Sequence, residues 1–258
     1  MNVHRWPLAL GWSDEPNCAH TTLAIHESRL MQFQAVIFDM DGLLLDSERI
    51  ALAAFLETCA YFSIGDQTEL FLRCIGTNQA LGEQVLKEGL RGKADHLNFG
   101  RIWDDKYIDR TSSNPIPLKV GAAELLLRLR LLNVPAAVAT STGTVTAIQN
   151  LQDTGILHNF NVVVGGDQVE TSKPHPAIYL KVAGILGVEP QNCLALEDSE
   201  KGVQSAVSAG MTVIQIPDLV PPSLALSALG HIILGSLNDV VNWAFPHERP
   251  ADLGSSGR

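Results

Sequence analysis

The chain has 258 residues, 46% of them hydrophobic and 18% charged, which allows one large domain or a domain with a smaller insertion. Its net charge of −10 argues against a general binder of nucleic acid or anionic membranes, because such proteins carry basic surfaces. The four cysteines are far apart and no apolar run approaches the ~20 residues that span a bilayer, so we expect a reduced, cytoplasmic compartment.

The first segment, residues 1–32, shows no sustained hydrophobic periodicity. We expect it to be a loosely ordered extension, as is common at chain termini. Met31 lies four residues before the first predicted strand, and we expect it to be the natural start of the protein.

The first predicted strand, 34–38, leads directly into Asp39 and Asp41, which are followed by Gly42. Two carboxylates that lie so close repel each other in a low dielectric, and they persist mainly when a cation or a shared proton relieves the repulsion. The alternative is a plain acidic turn that leads into a capped helix. The choice depends on whether the rest of the chain supplies partners for the two aspartates.

A long helical segment separates the first strand from the second. Helical periodicity predicts helices at 48–62, 66–75, 78–90 and 94–111, then a linker at 112–117, a helix at 121–132 and a second strand at 134–140. A crossover between parallel strands needs only one helix and short loops. The surplus therefore predicts an all-helical cap domain, residues 49–113, inserted directly after the two aspartates.

The rest of the chain alternates strands and helices. Strands are predicted at 161–164, 193–196, 212–216 and 231–234, and helices at 144–153, 176–187 and 200–209. Such alternation is typical of a parallel sheet with right-handed crossovers. We predict an α/β fold whose Rossmann-like core comprises residues 33–48 and 114–245, with a tail at 246–258.

Polar side chains follow the ends of several predicted strands. Thr140 and Ser141 close the second strand, Glu197 and Asp198 close the fourth, and Lys173 precedes the 176–187 helix. Ligands bind beyond the carboxyl ends of strands in open α/β sheets, so all these residues belong on one rim with the acidic loop. Taken alone, each residue could be a helix cap or a solvated charge. These separate explanations do not account for the whole set lying on one rim beside the acidic loop.

This set of groups suits phosphoryl transfer to a carboxylate nucleophile. Three carboxylates from neighbouring loops form an oxygen site suited to Mg²⁺, which lets an anionic carboxylate approach an anionic phosphate. A lysine, a hydroxyl and backbone N–H groups would hold the other phosphoryl oxygens. A second aspartate could protonate the leaving oxygen and then activate water.

Four separated motifs resemble the haloacid dehalogenase-like hydrolase superfamily, in its branch of small phosphatases with a helical cap after the first strand. The resemblance covers about residues 32–243. The motifs are Phe38-Asp39-Met40-Asp41-Gly42, Ala137-Val138-Ala139-Thr140-Ser141, Ser172-Lys173-Pro174-His175-Pro176 and Leu196-Glu197-Asp198-Ser199-Glu200-Lys201-Gly202. The family's sheet would place the first strand between the second and the fourth.

The resemblance implies a role for each motif residue. Asp39 would be the nucleophile and Asp41 the acid and base. The phosphate would bind to Thr140, Ser141, Lys173 and Gly42. The Mg²⁺ ligands would be Asp39, Asp41, Asp198 and Glu197.

The resemblance further implies a phosphatase that acts on a small phosphorylated metabolite, such as a sugar, polyol, glycolate or nucleoside phosphate. Asp41 favours phosphate esters, since the dehalogenases and phosphonate hydrolases of this group lack the second aspartate. Sugar-phosphate mutases keep both aspartates and remain the alternative, although they often carry a histidine in the segment where this chain has 49–53 without one. The cap residues Gly76, Thr77, Asn78 and Arg73 are candidates for substrate specificity.

Two other functions compete with the phosphatase. Ser141, followed downstream by Asp198 and His231, approaches the order of a serine esterase triad, although this interpretation leaves Asp39, Asp41 and Lys173 unexplained. A non-catalytic binding protein is the other class. We expect no nucleic acid or membrane partner, and a monomer or a weak dimer.

Overall fold

The polar rim predicted from the sequence requires a parallel sheet, and the strands do form one, in the order β3-β2-β1-β4-β5-β6. The computed structural model describes residues 29–245. The strands are β1 (Ala35–Phe38), β2 (Ala136–Ala139), β3 (Val162–Val164), β4 (Cys193–Glu197), β5 (Thr212–Gln215) and β6 (Ile232–Ile233). All neighbouring pairs are parallel, and β1 lies between β2 and β4, which confirms the α/β fold class.

The helices match the predicted ones, with ends shifted by one or two residues. They are α1 (Ser47–Tyr61), α2 (Thr68–Cys74), α3 (Gln79–Gly89), α4 (His96–Thr111), α5 (Ala122–Leu131), α6 (Thr144–Asp153), α7 (Ala177–Leu186), α8 (Glu200–Ser208), α9 (Leu224–Ser227) and α10 (Leu237–Ala244). The last two were not predicted. The signal for α10 is present in the sequence, since Leu237, Val240, Val241 and Ala244 recur at helical spacing and Ser236 caps the helix.

The central strand is buried on both faces because helices cover each side of the sheet. Val36 and Phe38 belong to one apolar cluster, with side chains of α5, α6 and α10. Ala35 and Ile37 point to the opposite face and pack with side chains of α7 and α8. Two-sided burial explains the continuous apolar sequence of β1, and it leaves the polar groups at the strand ends.

The first four helices after β1, α1 to α4, form their own apolar cluster. Phe55 of α1 is at its centre, with ring centroids 5.2 Å from Phe99 and 5.1 Å from Trp103, both of α4. The aromatic pairs meet mostly edge to face, the arrangement that ring quadrupoles favour. These helices follow directly after the acidic loop, and we refer to them below as the cap.

The predicted extension and tail are only partly described. Residues 1–28 and 246–258 lie outside the described residues. The last four residues of the predicted extension, Arg29–Gln32, form a 3-10 turn in which Leu30 is fully buried in the core. This differs from our expectation of loose order, because an apolar side chain joins the core just before β1. Within residues 29–245, no helix combines the length and the apolar character needed to cross a bilayer.

Candidate active site

The loop after β1 brings Asp39 to the carboxyl end of the sheet. The backbone N–H of Asp39 donates to the carbonyl of Leu196, so the end of β4 holds the residue in place. Gly42 follows with a φ of +78°, and an added Cβ would collide with the carboxylate of Asp198. Only glycine tolerates both constraints, so the loop can pass directly beside the β4 carboxylates.

Lys173 is buried in contact with two carboxylates. Its Nζ donates to Asp39 Oδ1 at 2.5 Å, to Glu197 Oε1 at 2.6 Å and to the carbonyl of Ala139 at 3.0 Å. Burial opposes the charge of the ammonium group, but the two carboxylates outweigh that effect and raise the pKa of Lys173. Lys173 is therefore a fixed cation at the end of β1.

Glu197 is held by donors on both of its oxygens. Tyr179 donates its hydroxyl to Oε1 at 2.6 Å, and the backbone N–H groups of Asp198 and Ser199 donate to Oε2 at 3.2 and 3.3 Å. Gly202 lies so close that an added Cβ would collide with the Glu197 carboxylate. Tyr179 was not among the predicted site residues, since its spacing in α7 is that of an ordinary core side chain.

Three buried carboxylates could hold a metal ion. Asp39, Glu197 and Asp198 each offer an oxygen, and these atoms lie within 4.8 Å of one another. Burial raises the pKa of Asp39 to about 8 against the lowering effect of Lys173. Burial, followed by the charge of Glu48, raises the pKa of Asp198 well above its usual value. Raised carboxyl pKa values in a buried group of oxygens are what a divalent cation would relieve, so the residues fit a metal such as Mg²⁺.

Asp41 does not join this group. Its Oδ1 accepts from the hydroxyl of Ser47 at 2.7 Å, and its Oδ2 accepts from Thr142 at 2.7 Å and from Thr140 at 3.4 Å. The side-chain oxygens of Asp41 are not among the three grouped carboxylates, and its role as a metal ligand stays a prediction. Its place beside the nucleophile candidate suits proton transfer better than metal ligation.

Glu48 is a site residue that the sequence analysis missed. It lies in the first turn of α1, is 8% exposed, and its Oε2 has no hydrogen-bond partner. Burial, followed by the charge of Asp41, raises the pKa of Glu48 to about 9. An acidic residue in a first helical turn is usually explained by the helix dipole, so its sequence position alone could not identify it.

The predicted phosphate-binding hydroxyls lie at the end of β2, next to the cap. Thr140 is buried, and its Oγ1 accepts the backbone N–H of Thr142 at 3.1 Å. Ser141 donates its hydroxyl to the carbonyl of Gly76 at 3.3 Å. Core and cap are therefore in direct contact over the site, as a lid that excludes water would be.

The four predicted specificity residues of the cap lie in different places. Gly76 and Thr77 line the cavity between core and cap. Asn78 accepts the backbone N–H of Leu81 and so caps α3. Arg73 points away, since its side chain is 56% exposed and lies 3.9 Å from Glu88.

The geometry supports neither a serine nor a cysteine nucleophile. His231 bonds to the side chain of Gln215 at 2.9 Å, and Ser141 bonds to the cap, so no serine triad is assembled. Cys74 lines the cavity, but burial raises the pKa of its thiol to about 11, which leaves the nucleophilic thiolate scarce.

The buried carboxylates predict a pH-dependent effect of Mg²⁺ on stability. A carboxyl with its pKa raised from 3.8 to about 8, as in Asp39, binds its proton more tightly in the folded than in the unfolded chain. This tighter proton binding stabilises the folded chain fully at pH values below the pKa of the aspartate in the unfolded chain. The stabilisation is lost as the pH rises through about 8. We expect the melting temperature in EDTA to fall from about pH 6 to about pH 9, and the increase caused by Mg²⁺ to be larger at the higher pH. Differential scanning calorimetry measures both, and a Mg²⁺ effect that shrinks with rising pH would contradict the prediction.

Comparisons with known proteins agree with the geometry of the site. The profile of the haloacid dehalogenase-like hydrolase family matches residues 36–216. The chain is 32% identical over 211 residues to the phosphorylated carbohydrates phosphatase of Thermotoga maritima, over 81% of this chain and 97% of the relative. It is 34% identical over 222 residues to a protein of Drosophila melanogaster named "Probable pseudouridine-5'-phosphatase", over 79% of this chain and 89% of the relative.

A solved structure extends the similarity to the cap. The beta-phosphoglucomutase of Clostridium difficile superposes with a TM-score of 0.67 over 81% of this chain and 93% of its own. Its sequence identity is 21%, so this likeness concerns the fold alone.

Proposed function

The chain belongs to the haloacid dehalogenase-like hydrolase family and is a phosphoric monoester hydrolase, and from that premise we propose that it releases phosphate from a small phosphorylated metabolite through an aspartyl-phosphate intermediate. The observation that carries the proposal is the buried contact of Lys173 with Asp39 beside the carboxylate of Asp198. A carboxylate positioned by a fixed cation, at the strand-end rim where ligands bind, is suited to attack phosphorus.

Asp39 is the proposed nucleophile. Lys173 holds its Oδ1, and within residues 29–245 no side chain donates to its Oδ2, which is left to attack. In the first step this oxygen bonds to phosphorus while the bond from phosphorus to the leaving oxygen breaks. Asp41 donates a proton to that leaving oxygen, which departs as an alcohol.

The second step hydrolyses the phosphorylated Asp39. Asp41, now a carboxylate held by the hydroxyls of Ser47 and Thr142, takes a proton from water. The water oxygen bonds to phosphorus, the bond to Asp39 breaks, and inorganic phosphate leaves. Asp41 is the acid in the first step and the base in the second, so it ends the cycle with the proton it started with.

Other residues of the rim hold the transferred group. Lys173 and the hydroxyls of Thr140 and Ser141 are the proposed phosphate contacts. Gly42 was also predicted to contact the phosphate, but its backbone N–H donates to the carbonyl of Leu45 at 2.9 Å, so we assign it the shaping of the loop instead. Asp39 and Asp198, with Glu197, would hold Mg²⁺. When bound, the metal neutralises negative charge between nucleophile and phosphate.

The substrate is proposed to be small. The cavity between rim and cap has a volume of about 270 Å³. This lies near the lower end of the ~300–1,000 Å³ typical of ligand pockets. A sugar or polyol phosphate suits that space better than a larger nucleotide.

A test of the proposal is phosphate release from p-nitrophenyl phosphate and from a panel of sugar and polyol phosphates. We expect turnover with Mg²⁺, loss of at least about 100-fold in EDTA, and recovery when Mg²⁺ is restored. The organic product is followed in parallel by NMR with a hexose 1-phosphate. Release of free hexose supports the phosphatase, whereas conversion to the 6-phosphate that needs a bisphosphorylated sugar would establish the mutase. Absence of both activities would contradict the proposal.

A further inference from the structure

The cavity over Asp39 is acidic and contains no basic side chain. Its lining within the described residues includes five carboxyl groups but no lysine, arginine or histidine. The carboxyl groups are those of Asp39, Asp41, Glu48, Asp104 and Asp198. A bound metal ion accounts for the acids near the rim, but it does not account for an acid on the cap.

The nearest basic side chains are already occupied. Lys173 lies under the rim against Asp39 and Glu197, where it can serve the transferred phosphate only. Lys201 donates to the carbonyls of Arg73 and Ile75 at 3.1 and 2.9 Å, which ties the cap loop to the core. A second anionic group of a substrate would therefore find no cation in the cavity.

Asp104 is the acid on the cap side of the cavity. It extends from α4, the helix that also contributes Trp103 and Tyr107 to the lining. Because the phosphate is held at the rim, a group that reaches α4 belongs to the leaving group. Asp104 is an exposed residue that forms no ion pair within residues 29–245, so its charge is available to a group that occupies this part of the cavity.

The remaining lining suits a polyhydroxyl group. Thr146 and Asn150 of α6 present a hydroxyl and an amide. The indole N–H of Trp103 donates to the carbonyl of Ala51 at 2.9 Å, so the rest of the ring presents an apolar surface. Glu48 also lines the cavity, but its unpartnered Oε2 is itself buried and is not counted among these polar groups.

We propose that the cavity selects phosphate monoesters whose leaving group is an uncharged polyhydroxyl group, and that Asp104 is the specificity-determining residue that disfavours leaving groups carrying a second negative charge. The inference rests on the proposed phosphatase function. Carboxylate and bisphosphate substrates would place like charges together in a cavity that is partly shielded from water, which costs free energy.

Matched pairs of substrates test this selection. Glycerol 3-phosphate and 3-phosphoglycerate share a carbon skeleton and differ by a carboxylate, and fructose 1-phosphate and fructose 1,6-bisphosphate differ by a phosphate. We expect kcat/KM to favour the uncharged member of each pair by about tenfold or more at low ionic strength. We expect Asp104→Asn to reduce the ratio of kcat/KM between the uncharged and the anionic substrate of each pair about fivefold, mainly by lowering KM for the anionic substrate. Asp104→Lys is expected to reduce this ratio further.

Asp105→Asn is the matched control. Asp105 is the next residue along α4, is not part of the cavity lining and pairs with Arg101 at 2.9 Å in solvent. We expect this control to leave both ratios unchanged. Thermal melts of all three variants exclude unfolding as the cause of any change.

The outcomes separate this inference from the proposed function. If wild-type protein with Mg²⁺ fails to hydrolyse p-nitrophenyl phosphate, the proposed function itself is overturned. If it hydrolyses p-nitrophenyl phosphate but prefers the anionic members or treats the pairs alike, the selection is overturned. If the ratios are as expected but Asp104→Asn changes them no more than Asp105→Asn, Asp104 is not the residue responsible.

Discussion

Asp39→Asn reduces the hydrolysis of p-nitrophenyl phosphate by at least about 10⁴-fold, the largest effect that we expect from a single substitution. An amide has nearly the shape of the carboxylate and can still accept from Lys173, but it is a poor nucleophile and cannot form the aspartyl phosphate. We expect the loss to fall on kcat, because the proposed phosphate contacts of Thr140 and Lys173 are not changed by the substitution. Steady-state kinetics with Mg²⁺ in excess measures it.

A covalent readout separates this loss from a folding defect. Wild-type protein quenched in acid during turnover carries one phosphoryl group by intact mass, and peptide mapping places it on Asp39, whereas Asp39→Asn carries none. Asp153→Asn is the control, since Asp153 lies at the exposed end of α6 and, among residues 29–245, its side chain bonds to Gln149. Retained turnover in Asp39→Asn, or a phosphoryl group on another residue, would refute the assignment.

Lys173→Met is expected to remove activity and also to destabilise the fold. The lysine is 2% exposed and balances Asp39 and Glu197 at 2.5 and 2.6 Å, so its removal leaves buried carboxylates without a counter-charge. Breaking a buried pair in this way costs about 3–5 kcal/mol of unfolding free energy. Chemical denaturation in EDTA measures the cost without a contribution from Mg²⁺.

The pH dependence of that cost identifies its cause. Burial raises the pKa of Asp39 to about 8 even though Lys173 lowers it. When Lys173 is removed, the pKa of Asp39 therefore rises further. Protonation neutralises the unpaired carboxyl, so the cost of Lys173→Met is smaller at about pH 6 than at about pH 9. Lys106→Met serves as the control, because Lys106 pairs with Glu57 near the surface at 3.8 Å and is expected to cost less than about 1 kcal/mol. An equal cost at both pH values would point to lost packing instead.

The sheet and its polar rim could be predicted from the sequence because both depend on local patterns. Apolar blocks such as 34–38 identify buried strands, and chain order with right-handed crossovers limits their arrangement. The chemical rule that ligands bind beyond strand ends then brings together residues as distant as Asp39, Lys173 and Asp198. The long interval between β1 and β2 likewise required an insertion, whatever its internal packing.

The partners of individual carboxylates could not be predicted in the same way. Tyr179 of α7 donates to Glu197, and Ser47 of α1 donates to Asp41, through contacts set by the rotation of these helices against the sheet. Thr142 also donates to Asp41, from the loop between β2 and α6. If such a helix were rotated about its axis by one residue, its hydroxyl groups would point elsewhere. The apolar pattern of the sequence predicts that rotation only approximately.

The sequence by itself therefore determined the fold class and the acidic loop and predicted the chemistry, because hydrophobic period and strand-end position are local properties that propagate through a regular sheet. Only the tertiary structure decided which side chains face the substrate. It turned Arg73 away from the cavity, brought Asp104 and Glu48 into its lining, and held Asp41 among hydroxyls. The physical reason is that a site between two packed units depends on how the units meet, through contacts such as those of Ser141 with Gly76 and of Lys201 with Ile75, which join residues far apart in the sequence.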